Sequence, residues 1–128
     1  MVKQATRGIK ISVKTKYQGA SYRNGQILHN FSYFITIENT SEISVQLTRR
    51  YWKIFDSLNA TEIVEGPGVV GQTPTLKPKD IYTYQSYCCL LSSMGSMSGY
   101  YSMTNLENNV TFRVIIPTFQ LLTKALLN

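Results

Sequence analysis

Apolar and polar residues alternate along much of the chain, and this period-two pattern predicts β-strands that bury one face. The segment GIKISVKTKY shows it most regularly, with apolar residues on one parity and mainly lysines on the other. We favour the interpretation that the lysine row protects an open sheet edge, because lysines on terminal strands discourage pairing with other chains. Contact with phosphate groups is the alternative. The predicted inward residues are Ile9, Ile11, Val13 and Tyr17, and the outward residues are Lys10, Ser12, Lys14 and Lys16.

Two later segments repeat the alternation. In VQLTRRYWKIFD the inward parity changes between Leu47 and Trp52. This change indicates a β-bulge near residues 49–51, because a bulge moves the following side chains to the opposite face. The segment FSYFITIEN predicts a regular strand, whose inward residues are Phe31, Tyr33, Ile35 and Ile37.

The remaining segments complete an all-β chain. Shorter strands are predicted in EIVEG, DIYTYQSYCC, GYYSMT and VTFRVIIPTF, with turn-forming residues between them. Seven or eight short strands of this kind predict an antiparallel β-sandwich. Only the final segment FQLLTKALLN has the composition for a helical turn or two, and it can equally dock in an extended conformation.

Length and charge narrow the class of protein. The 128 residues contain no linker or repeat, so we expect one domain over residues 1–128. No apolar run approaches the roughly 20 residues that span a bilayer, and the segment MVKQATRGIKISV lacks the apolar core of a signal peptide. We therefore expect a cytoplasmic protein without membrane attachment. The net charge of +6 is spread along the chain, which argues against a nucleic-acid partner.

The residues that commonly carry catalysis or bind metal are few. Cys88 and Cys89 are adjacent, so a disulfide between them would strain the chain, and we expect two thiols, with at least one in the core. His29 is the one histidine, and we expect it at a loop–strand junction on the surface. No nucleophile elbow or zinc-ligand spacing is present in the sequence, so no catalytic residue, metal site or cofactor is predicted.

Three acidic residues give a weak indication of a metal site. Asp56, Glu62 and Glu65 flank one predicted hairpin and can approach one another. Oxygen ligands suit a hard cation such as Mg²⁺. Solvated carboxylates are the interpretation that we favour, because nothing in the spacing requires a metal.

The segment EGPGVVG matches the G-x-G-x-x-G pattern of loops that cradle a pyrophosphate, with Gly66, Gly68 and Gly71 at its glycine positions. A dinucleotide loop needs a helix directly after the glycines, and Pro74 and Pro78 exclude one. Two interpretations remain. The glycines can serve a turn between strands, which we favour, or successive amides can form an anion-binding nest. Lys77 and Lys79 would assist such a nest.

Arg49, Arg50 and Trp52 form the most suggestive polar–aromatic group. Arginine and tryptophan are enriched at protein interaction hot spots. We expect Trp52 to be the core tryptophan of the sandwich, with an arginine capping it, and Arg49 and Arg50 to be candidate interaction residues.

Three of these segments together resemble the ApaG family. They are VQLTRRYWKIFD, VEGPGVVGQTPTLKPKDIYTYQS and SMSGYYSM, and the similarity continues to FRVIIPTFQL and covers nearly the whole chain. The chain departs from the family pattern at two turns, which hold Pro78-Lys79-Asp80 and Ser86-Tyr87. The matching positions are Arg50, Trp52, Asp56, Gly66, Gly68, Val69, Val70, Gly71, Pro74, Leu76, Pro78, Tyr84, Ser86, Gly95, Met97, Gly99, Tyr101, Met103, Ile116, Pro117 and Phe119.

The resemblance implies an immunoglobulin-like sandwich of fibronectin type III type. It also implies a link with cobalt resistance and magnesium efflux (the CorD phenotype), and a domain that occurs in a eukaryotic F-box protein and in a partner of a DNA polymerase. We therefore expect a non-enzymatic module that binds another protein, with a homodimer as one form of association. The alternative is a module that weakly binds pyrophosphate, a nucleotide or a divalent cation through residues 66–71.

Overall fold

The computed structural model describes residues 1–124, and nine antiparallel strands account for most of them. Residues 1–124 contain no helix of the length and apolar character that a membrane crossing requires. The strands are β1 (Val2–Thr6), β2 (Ile9–Arg23), β3 (Gln26–Asn39), β4 (Val45–Asp56), β5 (Asn59–Pro67), β6 (Thr75–Leu76), β7 (Ile81–Leu90), β8 (Met94–Asn105) and β9 (Thr111–Leu122).

Two sheets pack face to face. The first sheet has the strand order β1-β2-β3-β7, and the second has the order β5-β4-β8-β9, with β6 paired to the start of β4. On one side of the sandwich β1 and β2 contact β9, and the backbone N–H of Ile115 donates to the Thr6 hydroxyl over 3.2 Å. The all-β antiparallel sandwich predicted from the sequence is therefore confirmed.

The core between the sheets consists mainly of inward-facing residues of β2, β3, β4, β7, β8 and β9. Trp52 is 3% exposed and lies at its centre. Its ring meets those of Tyr33, Tyr101 and Phe119 edge-on at centroid distances of 5.4, 6.4 and 5.8 Å. The prediction that Trp52 is the core tryptophan is confirmed, and so is the burial of Ile9, Ile11, Val13, Phe31, Tyr33, Ile35 and Ile37.

The sequence pattern missed two strands, β1 and β6. Strand β1 lies outside β2 and pairs with it from Val2 opposite Val13 to Thr6 opposite Ile9. β1 is therefore the terminal strand of the sheet, but it pairs with β2 only over residues 9–13, so Lys10 lies beside another strand while Lys14 and Lys16 lie beyond the paired stretch. The two strands were missed because β1 buries little and its segment VKQAT carries almost no apolar alternation, while β6 has only two residues.

The predicted bulge in β4 is present, but slightly earlier than expected. The register between β4 and β8 shifts between Leu47 and Arg49, which leaves Thr48 as the extra residue. The Thr48 hydroxyl donates to the Ser102 carbonyl over 3.2 Å. The bulge moves Trp52 onto the buried face.

The predicted tail segment is extended where it is described. Residues 119–122 belong to β9, with Phe119 and Leu121 buried. Residues 123 and 124 form a bend, so the helical alternative is excluded for residues 119–124, and its remaining part at 125–128 lies outside the described residues.

Candidate functional site

Arg50 clamps the glycine segment from the neighbouring strand. Gly66 lies in β5 directly opposite Arg50 in β4, and a Cβ at Gly66 would stand 3.4 Å from the guanidinium. The Nη1 group of Arg50 donates to the carbonyl of Pro67 over 2.9 Å and to that of Gly68 over 3.1 Å. Arg50 thus holds the chain where it leaves β5.

The glycine segment then forms a tight turn. The N–H of Val69 donates to the Gln72 carbonyl over 2.8 Å, and the N–H of Gln72 donates back over 2.9 Å. Val70 and Gly71 between them have φ of 47° and 76°, the positive values of a type I′ turn. The N–H of Gly68 donates to the carbonyl of the bulged residue Thr48 over 2.8 Å.

These bonds bear on the anion-binding hypothesis. The amides of Gly68, Val69 and Gln72 already donate to backbone carbonyls, whereas a nest needs successive amides that point at the ligand. Arg50 is likewise engaged by carbonyl oxygens. The geometry therefore favours the turn interpretation of the three glycines.

Lys77 and Lys79 belong to a different turn. The N–H of Lys77 donates to the Asp80 carboxylate over 2.8 Å, and the N–H of Lys79 donates to the Asn39 carbonyl over 2.8 Å. Asn39 ends β3, whereas the glycine turn is bonded to Thr48 and Arg50 in the middle of β4. The backbone contacts therefore assign these lysines and the glycines to separate turns.

The three acidic residues have different environments. Asp56 is buried at the end of β4, and its carboxylate accepts the backbone N–H groups of Leu91, Leu58 and Ser92 at 2.7, 3.1 and 3.2 Å. Burial alone would raise the pKa of this carboxyl, but these hydrogen bonds outweigh it and hold the pKa below its ordinary value.

Glu62 and Glu65 stand on β5 opposite Ile54 and Tyr51. Glu62 and Asp56 line a depression of about 260 Å³ between the edges of β5 and β7. Within residues 1–124, no group of three or more histidine, cysteine or acidic side chains is placed to hold a metal ion.

The two cysteines differ in environment. Cys88 points into the core, and burial raises the pKa of its thiol to about 12. Cys89 is exposed, and its thiol donates to the Asn30 side-chain carbonyl over 3.0 Å. Both are free, with one in the core, as the sequence predicts.

His29 lies within β3 rather than at a loop–strand junction, and the Tyr17 hydroxyl is 2.9 Å from its Nδ1. This position within a strand, beside a tyrosine of the neighbouring strand, corrects the prediction that His29 lies at a loop–strand junction.

The buried hydroxyl groups of Tyr84 and Tyr101 are hydrogen-bonded to each other, and burial raises the pKa of both.

Arg49 lies on the outer face of the second sheet, on the side of β4 opposite to Trp52. There Tyr51 stacks on Tyr100 of β8 at a centroid distance of 4.8 Å and an interplanar angle of 11°. The guanidinium of Arg113 on β9 lies 4.3 Å from the centroid of the Tyr100 ring. We call this surface the tyrosine face and define it by Arg49, Tyr51, Lys53, Tyr100 and Arg113.

Sequence reasoning found Arg49 but missed the other four residues of the tyrosine face. The parity of β4 offered a signal, because Arg49, Tyr51 and Lys53 alternate with the inward-facing Trp52. Tyr100 and Arg113 lie on other strands, and only the register brings Tyr51 opposite Tyr100 and Ser102 opposite Arg113.

Comparison with known proteins agrees with this architecture. Residues 20–105 match the ApaG domain, DUF525. The chain is 40% identical over 121 residues to Protein ApaG of Sinorhizobium fredii and 41% identical over 121 residues to that of Brucella anthropi. In both cases the match covers 94% of this chain and 92% of the relative. An X-ray structure of the structural-genomics target SoR45 superimposes with a TM-score of 0.87 at 39% identity, covering 94% of this chain and 90% of the other. The chain therefore belongs to the ApaG family.

Proposed function

We propose that this chain is a non-catalytic binding module whose tyrosine face docks an acidic segment of another protein. The observation that carries the proposal is the column formed by Tyr51, Tyr100 and Arg113, stacked in advance on the outer face of the second sheet. Tyrosine and arginine are the residue types that dominate the binding energy of many protein interfaces.

The stacking prepares these side chains for binding. Each ring is held by its neighbour and by a strand in the middle of the sheet, so little rotamer freedom remains to be lost when a partner docks. Tyrosine combines a large apolar surface with a polar hydroxyl, which suits a face that is exposed to water before binding and buried in the interface afterwards.

The charges of the tyrosine face indicate what the partner carries. Arg49, Lys53 and Arg113 are exposed, and the single ion pair within residues 1–124 joins Lys10 to Glu38 on the other sheet. Glu65, opposite Tyr51, is an acid at the margin of this face. Carboxylates of a partner could therefore pair with these three cationic side chains, which form no ion pair with an acidic residue within residues 1–124.

The groups that could support catalysis are placed for structural roles. The high pKa of Cys88 keeps its thiol protonated at neutral pH, and thiols in that form are poor nucleophiles. The carboxylate of Asp56 accepts hydrogen bonds from three backbone N–H groups. These observations support the proposal of a module without an active site.

A link with cobalt and magnesium homeostasis, as the family resemblance implies, would on this proposal run through a protein partner. The support is that residues 1–124 offer no cluster of metal ligands. Binding of a small anion by residues 66–71 has weaker support, because the turn uses its own amides.

The test is a titration of the isotope-labelled protein with a short peptide of glutamates around one phenylalanine, followed by backbone amide shifts. We expect saturable shifts at Tyr51, Tyr100 and Arg113, and a tenfold or larger loss of affinity in the double variant Arg49→Glu, Arg113→Glu. Charge screening should weaken the binding as salt is raised.

The matched control reverses charge on the other sheet, in the double variant Lys14→Glu, Lys16→Glu, and should leave the affinity unchanged. Three results would overturn the proposal. One is the absence of shifts at millimolar peptide. Another is tighter binding of oligouridylate than of the peptide on the same face. The third is a set of shifts confined to residues 66–71 with pyrophosphate, which would establish the small-ligand alternative.

A further inference from the structure

Strand β7 ends the first sheet and carries an open edge. It runs over Ile81–Leu90 and pairs with β3 on one side, from Ile81 opposite Glu38 to Leu90 opposite His29, without an irregularity. It is the terminal strand in the order of that sheet. Within residues 1–124, no strand pairs with the other side of β7, and its backbone groups there are open along the strand.

The register identifies those groups. The N–H of Asn39 donates to the carbonyl of Asp80 over 3.0 Å, on the β7 side, and the N–H of the next residue, Thr40, donates to the carbonyl of Gly8 over 2.8 Å, on the β2 side. Odd-numbered residues of β3 therefore form the hydrogen-bonded pairs with β7. Such pairs recur at every second residue of an antiparallel ladder, so even-numbered residues of β7 bond to β3. The N–H and C=O groups of the odd-numbered residues point to the open edge, and these residues are Ile81, Thr83, Gln85, Tyr87 and Cys89.

The other edges of the sandwich carry features that oppose pairing. Strand β1 is short and bears Lys3, and β5 bears Glu62 and Glu65 before ending at Pro67. Strand β9 contains Pro117 and is covered by β1. Strand β7, with the sequence IYTYQSYCCL, contains no charged residue, proline or glycine.

We propose that this edge pairs with the same edge of a second copy of the chain, β7 against β7 in antiparallel orientation about a two-fold axis. Any antiparallel pairing of a strand with itself is compatible with two-fold symmetry. Centring the axis on Gln85 gives full overlap of the five open residues. It places Thr83 opposite Tyr87 of the partner subunit, and Ile81 opposite Cys89 of the partner subunit.

Charge selects this edge for self-association. Copies of a chain with a net charge of +6 repel one another, and like charges placed opposite on paired strands are destabilising. Pairing along β7 brings no charged side chain of the strand opposite another. It also covers Ile81 and Tyr87, which are 61% and 69% exposed. The inference concerns the first sheet and does not rest on the proposed function of the tyrosine face.

The test is sedimentation velocity of the full chain from micromolar to millimolar concentration, for which we expect a concentration-dependent dimer. Gln85→Pro removes a donor at the centre of the edge without removing a bond to β3, a position where strands tolerate proline. It should raise the dimer dissociation constant about tenfold or more. Gln85→Lys places two lysines opposite each other across the axis and should weaken the dimer several-fold.

The matched control is Thr36→Lys, which adds the same charge on the same sheet face but one strand further in, on β3. It should dimerise like the unmodified chain. Native amide spectra establish that each variant is folded. A chain that stays monomeric at millimolar concentration, or a dimer that Gln85→Pro and Gln85→Lys leave intact, overturns the proposal.

Discussion

At the scale of single residues, two polar side chains of the kind found in active sites are hydrogen-bonded to the backbone. Arg50 bonds two carbonyls of the chain that leaves β5, and Asp56 gathers three amides from two turns. Both residue types are common in active sites. Here each is hydrogen-bonded to backbone groups and holds a turn of the chain in place.

The Asp56 carboxylate should make stability depend on pH. Its folded pKa is below the ordinary value, so its contribution is fully present above the unfolded pKa near 3.8 and is lost as pH falls through the lower folded pKa. Asp56→Asn should cost about 2 kcal/mol at pH 7, and the gap from the unmodified chain should narrow towards pH 2.

Urea denaturation at a series of pH values measures this gap. Glu107→Gln, in the exposed connection between β8 and β9, is the control and should shift stability little at any pH. A gap for Asp56→Asn that stays constant from pH 7 to pH 2 would show that the ionised carboxylate contributes nothing.

Substitution of Gly68 and of Gly71 by alanine separates two requirements of the turn, which are a close backbone approach and a positive φ. A Cβ at Gly68 would stand 2.2 Å from the Gln72 carbonyl oxygen, whereas a Cβ at Gly71 meets nothing within 4 Å. Both have positive φ, of 62° and 76°. Gly71→Ala should therefore cost about 1 kcal/mol for the left-handed conformation alone, and Gly68→Ala on the order of 3 kcal/mol.

Chemical denaturation of the two variants gives the comparison directly. Equal costs would contradict the close approach at Gly68. Since both glycines serve the turn, neither variant should change binding of the acidic peptide in conditions where it is folded.

At the scale of elements, β4 combines two different surfaces. Its bulge at Thr48 sets which residues face inward, so that Trp52 enters the core while Arg49, Tyr51 and Lys53 face solvent. The carbonyl of Thr48, the residue that the bulge leaves unpaired with β8, accepts a hydrogen bond from the Gly68 N–H. The bulge therefore fixes both the tyrosine face and the position of the glycine turn.

Adjacent substitutions in β4 should have opposite consequences. Trp52→Ala should lower the free energy of unfolding by about 3–5 kcal/mol, because it removes the centre of the core. Tyr51→Ala should cost much less stability but should abolish the stacking on Tyr100 and weaken binding of the acidic peptide about tenfold.

Thermal unfolding and peptide titration on the same two proteins separate the effects. Unchanged peptide affinity in a folded Tyr51→Ala protein would remove Tyr51 from the binding face. A small stability cost for Trp52→Ala would contradict its central position.

At the scale of the whole molecule, the two proposed surfaces are independent of one another. The tyrosine face lies on β4, β8 and β9 of the second sheet, and the β7 edge belongs to the first sheet. A dimer formed through β7 would leave both tyrosine faces open, so one chain could associate with itself and with an acidic partner together.

The sequence alone determined the fold class and most of the core. Alternation with period two assigns residues such as Ile11, Ile35 and Trp52 to the buried face, because burial of one face is a local property of a strand. The prolines at 74 and 78 likewise excluded a nucleotide-binding helix after Gly71, since backbone restrictions are local too.

The tertiary structure decided which side chains meet and which edges stay open. Tyr51 and Tyr100 are 49 positions apart and stack only because the register of β4 with β8 places them opposite each other. The open edge of β7 depends on the order of strands in the sheet. Hydrogen-bond pairing between distant segments sets both, and no local pattern of residues encodes it.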